Sequence, residues 1–173
     1  MRQQESIPGL PDLNLQPGEL YLARSPTILR TILGSCVGVT FWSPRLRIGA
    51  LCHGILPRCP QGWLPEVDPS EEYRYVDASI RHLVRQFVAL GASRQELVIK
   101  VFGGADVLQV GWAVQDRPTI GAMNCLSAEE ALESEGLAIF ASDVRGTRGR
   151  RISFDTATGV VLLHRLGAGT GRK

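Results

Sequence analysis

Cys36 follows a Leu-Gly-Ser turn, and His53 stands seventeen residues later in the same stretch, TILGSCVGVTFWSPRLRIGALCHGILP over residues 31–57. A free thiol with a pKa near ~8.5 is only slightly ionised at neutral pH. An adjacent imidazole changes that: as imidazolium it stabilises the thiolate, and later it protonates a leaving amine. Around the thiol, Gly34 permits an unusual backbone turn, and the N–H groups near Ser35 and Cys36 can face a developing oxyanion. A site so built cleaves amides, thioesters or esters. Without that geometry, the same two residues are a buried small hydrophobe and a satisfied strand histidine.

Two strands must position the pair. VGVTFW and RIGALCH are separated by SPRL, and with Pro44 and Arg45 as central turn residues Trp42 falls opposite Arg47 and Cys36 opposite His53. Directly opposed residues have Cβ atoms roughly 4.5–5.5 Å apart. Val37, Val39 and Phe41 then share the other face with Ile48, Ala50 and Cys52, an apolar surface for the core. The turn lacks the Asn-Gly signal of two-residue hairpins, and a one-residue slip would separate Cys36 from His53. A metal centre of Cys36, Cys52, His53 and Cys59 is the rival chemistry, but it has no Cys-x-x-Cys pair, and Cys52 and His53 point to opposite faces. Neither a metal nor an organic cofactor is expected. The four cysteines are expected to stay reduced in a chain with no export signal, and Cys59 and Cys125 receive no role.

The rest of the chain reads as a frame for this site. Residues 1–19 form an irregular Pro- and Gln-containing lead-in, 20–166 a single domain, and 167–173 a flexible tail. TILRTIL, ELVIKVF, LAIFAS and the RISF…VVLLHRL hairpin read as strands, and residues 58–72 as an ordered loop or lid. One helix carries Val76, Ile80, Leu83, Val84, Phe87 and Val88 on its apolar stripe and ends at Gly91. A second is opened by a Ser127 and Glu130 capping box and closed by Gly136. Strands both in hairpins and flanking helices predict an α+β layered fold with mixed sheets. A formal charge of +2 excludes strong polyanion attraction, and the RGTRGRR cluster at 145–151 reads as a solvated turn rather than a nucleic-acid site. No apolar run reaches membrane-spanning length, so no membrane insertion and a cytoplasmic location are expected.

The sequence resembles the CheD chemoreceptor glutamine deamidases of bacterial chemotaxis. The likeness runs from LQPGELYLARSPTILRTILGSCVGV through PRLRIGALCHGILP, RYVDASIRHLVRQFVALGA and IKVFGGADVL to IGAMNCLSAEEALESEGLAIFASDVRGTRGRRISFDTATGVV. It implies Cys36 as nucleophile and His53 as general base and acid. It also implies a threonine on the preceding strand that orients the histidine; Thr31 takes this role, with Arg30 at the alternative spacing. Where relatives commonly carry asparagine just before the histidine, this chain has Cys52. The fold implied is a layered α/β sandwich of two packed mixed sheets, similar to the cytotoxic necrotizing factor-like cysteine hydrolases. The implied substrates are glutamines on the cytoplasmic helices of methyl-accepting chemoreceptors, with receptor methylesterase activity at the same site. The implied partner is a CheC-type phosphatase. The alternative is a non-catalytic regulatory module binding receptor or CheC.

Overall fold

The apolar and β-branched stretches on either side of Cys36 form strands in the computed structural model, which describes residues 9–62, 69–107 and 118–167. In chain order the strands are β1 (Asp12–Asn14), β2 (Leu20–Ala23), β3 (Ile28–Leu33), β4 (Val37–Ser43), β5 (Ile48–Gly54), β6 (Val98–Gly103), β7 (Ile139–Val144), β8 (Arg150–Asp155) and β9 (Val161–Arg165). Helix α1 (Val76–Ala89) precedes β6, and α2 (Ile120–Ser134) follows it. One sheet has the order β1-β3-β8-β9, the other β2-β5-β4-β6-β7. Both are mixed, because β1 runs parallel to β3 and β6 parallel to β7. This is the α+β sandwich that the sequence predicts.

Side-chain alternation divides the core in two. Val37, Val39, Phe41, Ala50 and Cys52 face the helices, where Ile80, Leu83, Val84 and Phe87 of α1 and Ala128 and Leu132 of α2 cover them. Leu51 and Phe102 face the other way and meet Leu29, Leu33, Ile152 and Phe154 between the sheets. Each large apolar side chain buried in this way contributes about 1.5–3 kcal/mol. The layers therefore run sheet, sheet, helices. The outer face of the four-stranded sheet stays open, with Ile32 and Leu162 exposed.

Several sequence expectations change. The β4–β5 hairpin is closed by a four-residue loop, 44–47, with Arg47 in the left-handed region at φ 54° and its N–H bonded to the Ser43 carbonyl at 2.8 Å. Trp42 consequently pairs with Gly49 and His53 with Gly38, not with Arg47 and Cys36. The register has moved by two residues, so every side chain keeps its expected face. Ser-Pro-Arg-Leu lacks the residues of a two-residue turn and takes the longer loop. The lead-in is not wholly irregular either: Asp12–Asn14 form β1 between Pro11 and Pro17, too short to show alternation.

Helix α2 begins seven residues before its expected cap. Thr119 is its N-cap, its hydroxyl accepting the Ala122 N–H at 3.1 Å, whereas Ser127 lies mid-helix, buried, and donates to the Pro57 carbonyl. Two signals hid the true start: glycine at 121 and a helix with little amphipathicity, since α2 is covered on more than one side. The helix ends as expected, with Gly136 at φ 70°. In α1, Val88 is exposed rather than part of the buried stripe. In the basic cluster, Arg150 is buried and paired with Asp143 instead of solvated. Most of the expected tail, 168–173, and residues 63–68 of the expected loop lie outside the described residues.

Candidate active site

Cys36 sits at the end of the turn that leaves β3 and enters β4. The three carbonyls of this turn are all held from behind. The Ala105 N–H takes Gly34 at 2.8 Å, Asn124 Nδ2 takes Ser35 at 3.0 Å, and the Gly104 N–H takes Cys36 at 2.8 Å. Gly103 and Gly104 have φ of 102° and 63°. A Cβ on Gly103 would lie 2.2 Å from the Cys36 carbonyl oxygen, and one on Gly104 2.1 Å from Cys125 Sγ. The turn thus rests directly on glycine backbone, an approach that no other residue allows. The Cys36 side chain is half-buried against the inter-sheet cluster that contains Leu33 and Phe102.

His53 belongs to β5 and faces the same inter-sheet layer. Its N–H donates to the Glu19 carbonyl and its carbonyl accepts the Gly18 N–H, both at 2.8 Å, so the lead-in braces the strand at this residue. Across the layer, Thr31 of β3 places Oγ1 2.8 Å from His53 Nδ1, and Thr31 Oγ1 donates to the Leu15 carbonyl at 2.9 Å. A hydroxyl has one proton. Because Leu15 takes it, Nδ1 must carry the hydrogen that Thr31 accepts, and Nε2 is left as the basic nitrogen. Nε2 is buried and has no hydrogen-bond partner among the described residues. Arg30, the other candidate for the orienting role, turns to the opposite face and pairs with Asp12 at 2.8 Å.

Cys36 lies in the bend just before β4 and packs against the inter-sheet cluster, the layer that His53 also faces, but no hydrogen bond joins its sulfur to His53 Nε2. Position 38 is pressed by β3: a Cβ there would lie 2.9 Å from Leu33 Cδ1. Burial pushes the His53 pKa down to about 4, against the smaller opposing effects of Glu19 and the Leu15 carbonyl. Burial likewise pushes the Cys36 thiol up, its own backbone N–H pulling the other way. Both shifts favour the neutral thiol and the neutral imidazole over the charged pair. Cys52 is a core residue, its thiol raised to about 12 by burial, and it faces the helices rather than His53. The four-ligand metal arrangement is therefore not assembled.

The family described as CheD chemotactic sensory transduction matches residues 60–165. A probable chemoreceptor glutamine deamidase CheD 2 of Geobacter sulfurreducens is 42% identical over 92% of this chain and 92% of its own. The chain belongs to the CheD family. A CheD relative from Oleidesulfovibrio alaskensis is 39% identical over 90% of this chain and 73% of its own. One from Methanosarcina acetivorans is 36% identical over 84% and 87%. The crystal structure of Bacillus licheniformis hypothetical protein YfiH aligns with a TM-score of 0.41 and 10% identity, over 74% of this chain and 51% of that one. Within this CheD chain, sequence reasoning singled out neither Asn124 nor the support that Gly103 and Gly104 give the Cys36 turn. The glycine pair directly after a buried strand was the one available signal; Asn124, inside a helix, offered none.

Proposed function

We propose that this chain is a protein-glutamine deamidase that converts glutamine side chains of methyl-accepting chemoreceptors to glutamate, with Cys36 as nucleophile, His53 as general base and acid, and Thr31 as the residue that orients the imidazole. The reading is carried by the Thr31–His53 contact, which with the Leu15 carbonyl leaves an unprotonated, unpartnered Nε2 on the side of the sheet that Cys36 shares. The curated relatives named chemoreceptor glutamine deamidase support the substrate class.

In the reaction, Cys36 Sγ attacks the side-chain amide carbon as Nε2 takes the thiol proton. The resulting oxyanion is met by backbone N–H groups near Ser35 and Cys36, in the turn that Gly34 opens. His53 returns its proton to the departing nitrogen, ammonia leaves, and a thioester remains on Cys36. Water, deprotonated by Nε2, then attacks the thioester; glutamate is released and the thiol is restored. A glutamate methyl ester meets the same steps with methanol as the leaving group, which extends the proposal to receptor methylesterase activity. Hydrolysis of this kind draws only on water and these side chains. The cytoplasmic helices of the receptors place the enzyme in the cytoplasm, and a CheC-type phosphatase is the proposed regulatory partner.

The test is incubation of the protein and its Cys36→Ala variant with a receptor cytoplasmic fragment, followed by peptide mass spectrometry. Glutamine converted to glutamate by the native chain and not by the variant is the expected result. Equal conversion by both would remove Cys36 from the chemistry. Binding of the fragment without any conversion would leave a regulatory module instead.

A further inference from the structure

Asn124 of α2 is fully buried, and its side chain joins the two halves of the candidate site. Nδ2 donates to the Ser35 carbonyl at 3.0 Å and to the Ile55 carbonyl, two residues beyond His53, at 3.2 Å. Two carbonyls can be served only by the amide nitrogen, so the orientation of the carboxamide is settled. The remaining atom, Oδ1, is buried with no hydrogen-bond partner among the described residues.

What the Ser35 bond controls is a peptide plane. No peptide bond among the described residues is cis, and in a trans peptide the C=O and N–H point in opposite directions. Anchoring the Ser35 carbonyl on α2 therefore turns the Cys36 N–H away from the helix. The Ala105 N–H does the same for the preceding peptide through the Gly34 carbonyl. The Cys36 side chain packs against the inter-sheet cluster, on the face of the sheet away from the helices.

We propose that Asn124 is a positioning residue for the oxyanion: by holding the Ser35–Cys36 peptide in one orientation it presents the Cys36 N–H to the negative charge that develops on the substrate carbonyl. This rests on the deamidase reading above. Rotation of that peptide would replace the donor with a carbonyl oxygen and repel the oxyanion.

The experiment compares Asn124→Ala and Asn124→Ser with the native chain, at a temperature where thermal melts show each variant folded. Serine can serve one carbonyl at most. For glutamine conversion on a receptor fragment, kcat falls about 100-fold, the effect of losing one oxyanion donor, while KM holds. Alkylation of Cys36 by iodoacetamide builds no oxyanion, so its rate stays within about twofold of native. Parallel loss of kcat and alkylation would show that Asn124 sets the thiol and imidazole rather than the oxyanion, and would overturn the proposal. So would native kcat in both variants. A native chain that converts no glutamine overturns the deamidase reading and this proposal together.

Discussion

Thr31 does more for His53 than hold it still. Its hydroxyl proton is committed to the Leu15 carbonyl, so it can only accept from Nδ1, and that choice puts the lone pair on Nε2. Thr31→Val keeps the shape and deletes the switch; glutamine conversion should fall by about 100-fold, while Thr31→Ser retains most of the rate. Time courses by peptide mass spectrometry check this, and native turnover in the valine variant would refute it. The buried imidazole also has a thermodynamic signature. Unfolded histidine protonates near 6.5, but His53 in the fold resists until about 4. Between those values the unfolded chain binds the extra proton, so stability rises with pH from about 4 to 6.5 and is level above. The whole effect is about 3 kcal/mol. Urea midpoints at pH 4.5 and 7 should therefore differ more for the native chain than for His53→Asn, and equal differences would mean the ring is not buried.

At the scale of elements, the Cys36 turn is held by the end of one strand and the first turns of one helix. β6 finishes in Gly103, whose φ of 102° and contact with the Cys36 carbonyl leave no room for a methyl group. Gly103→Ala should cost about 2–3 kcal/mol and impair turnover, because the turn itself must move. Gly136 makes the control. It has φ 70° but nothing near its missing Cβ. Gly136→Ala should lose only about 1 kcal/mol and keep native activity. Thermal melts with turnover assays separate the two cases; similar losses of activity in both would mean the glycine contact is not what positions Cys36.

For the whole molecule, the question is what keeps the two sheets in register, since Thr31 reaches His53 only across the gap between them. Arg150, on the four-stranded sheet, is 4% exposed and donates from Nε to Asp143 Oδ1 of the five-stranded sheet at 2.6 Å. Its two terminal nitrogens take the Arg148 and Arg145 carbonyls. Burial raises the Asp143 carboxyl, but the hydrogen bonds of Arg150 and Arg165 outweigh it and hold the pKa below the usual range. Arg150→Met removes one partner of a buried pair and should cost about 3 kcal/mol, the lower end for such pairs because Arg165 remains beside Asp143. Adding Asp143→Leu should recover part of the loss in urea unfolding. A double variant no more stable than the single one would show that the charge left behind is not the source of the cost.

The sequence by itself determined the strands around Cys36, the terminal hairpin, the first helix, the mixed α+β class and the shared face of Cys36 and His53. These follow from alternation of period two and from helical spacing, which are local properties; even the two-residue error in the hairpin left the faces intact. Tertiary structure alone decided that Thr31 and not Arg30 meets His53, that Leu15 selects the tautomer, that Gly103 and Gly104 carry the Cys36 turn, and that Asn124 ties Ser35 to Ile55. It also decided that α2 starts at Thr119 and that Arg150 is buried. Each of these joins residues from different layers of the sandwich, and no spacing along the chain encodes a contact made by packing one layer on another.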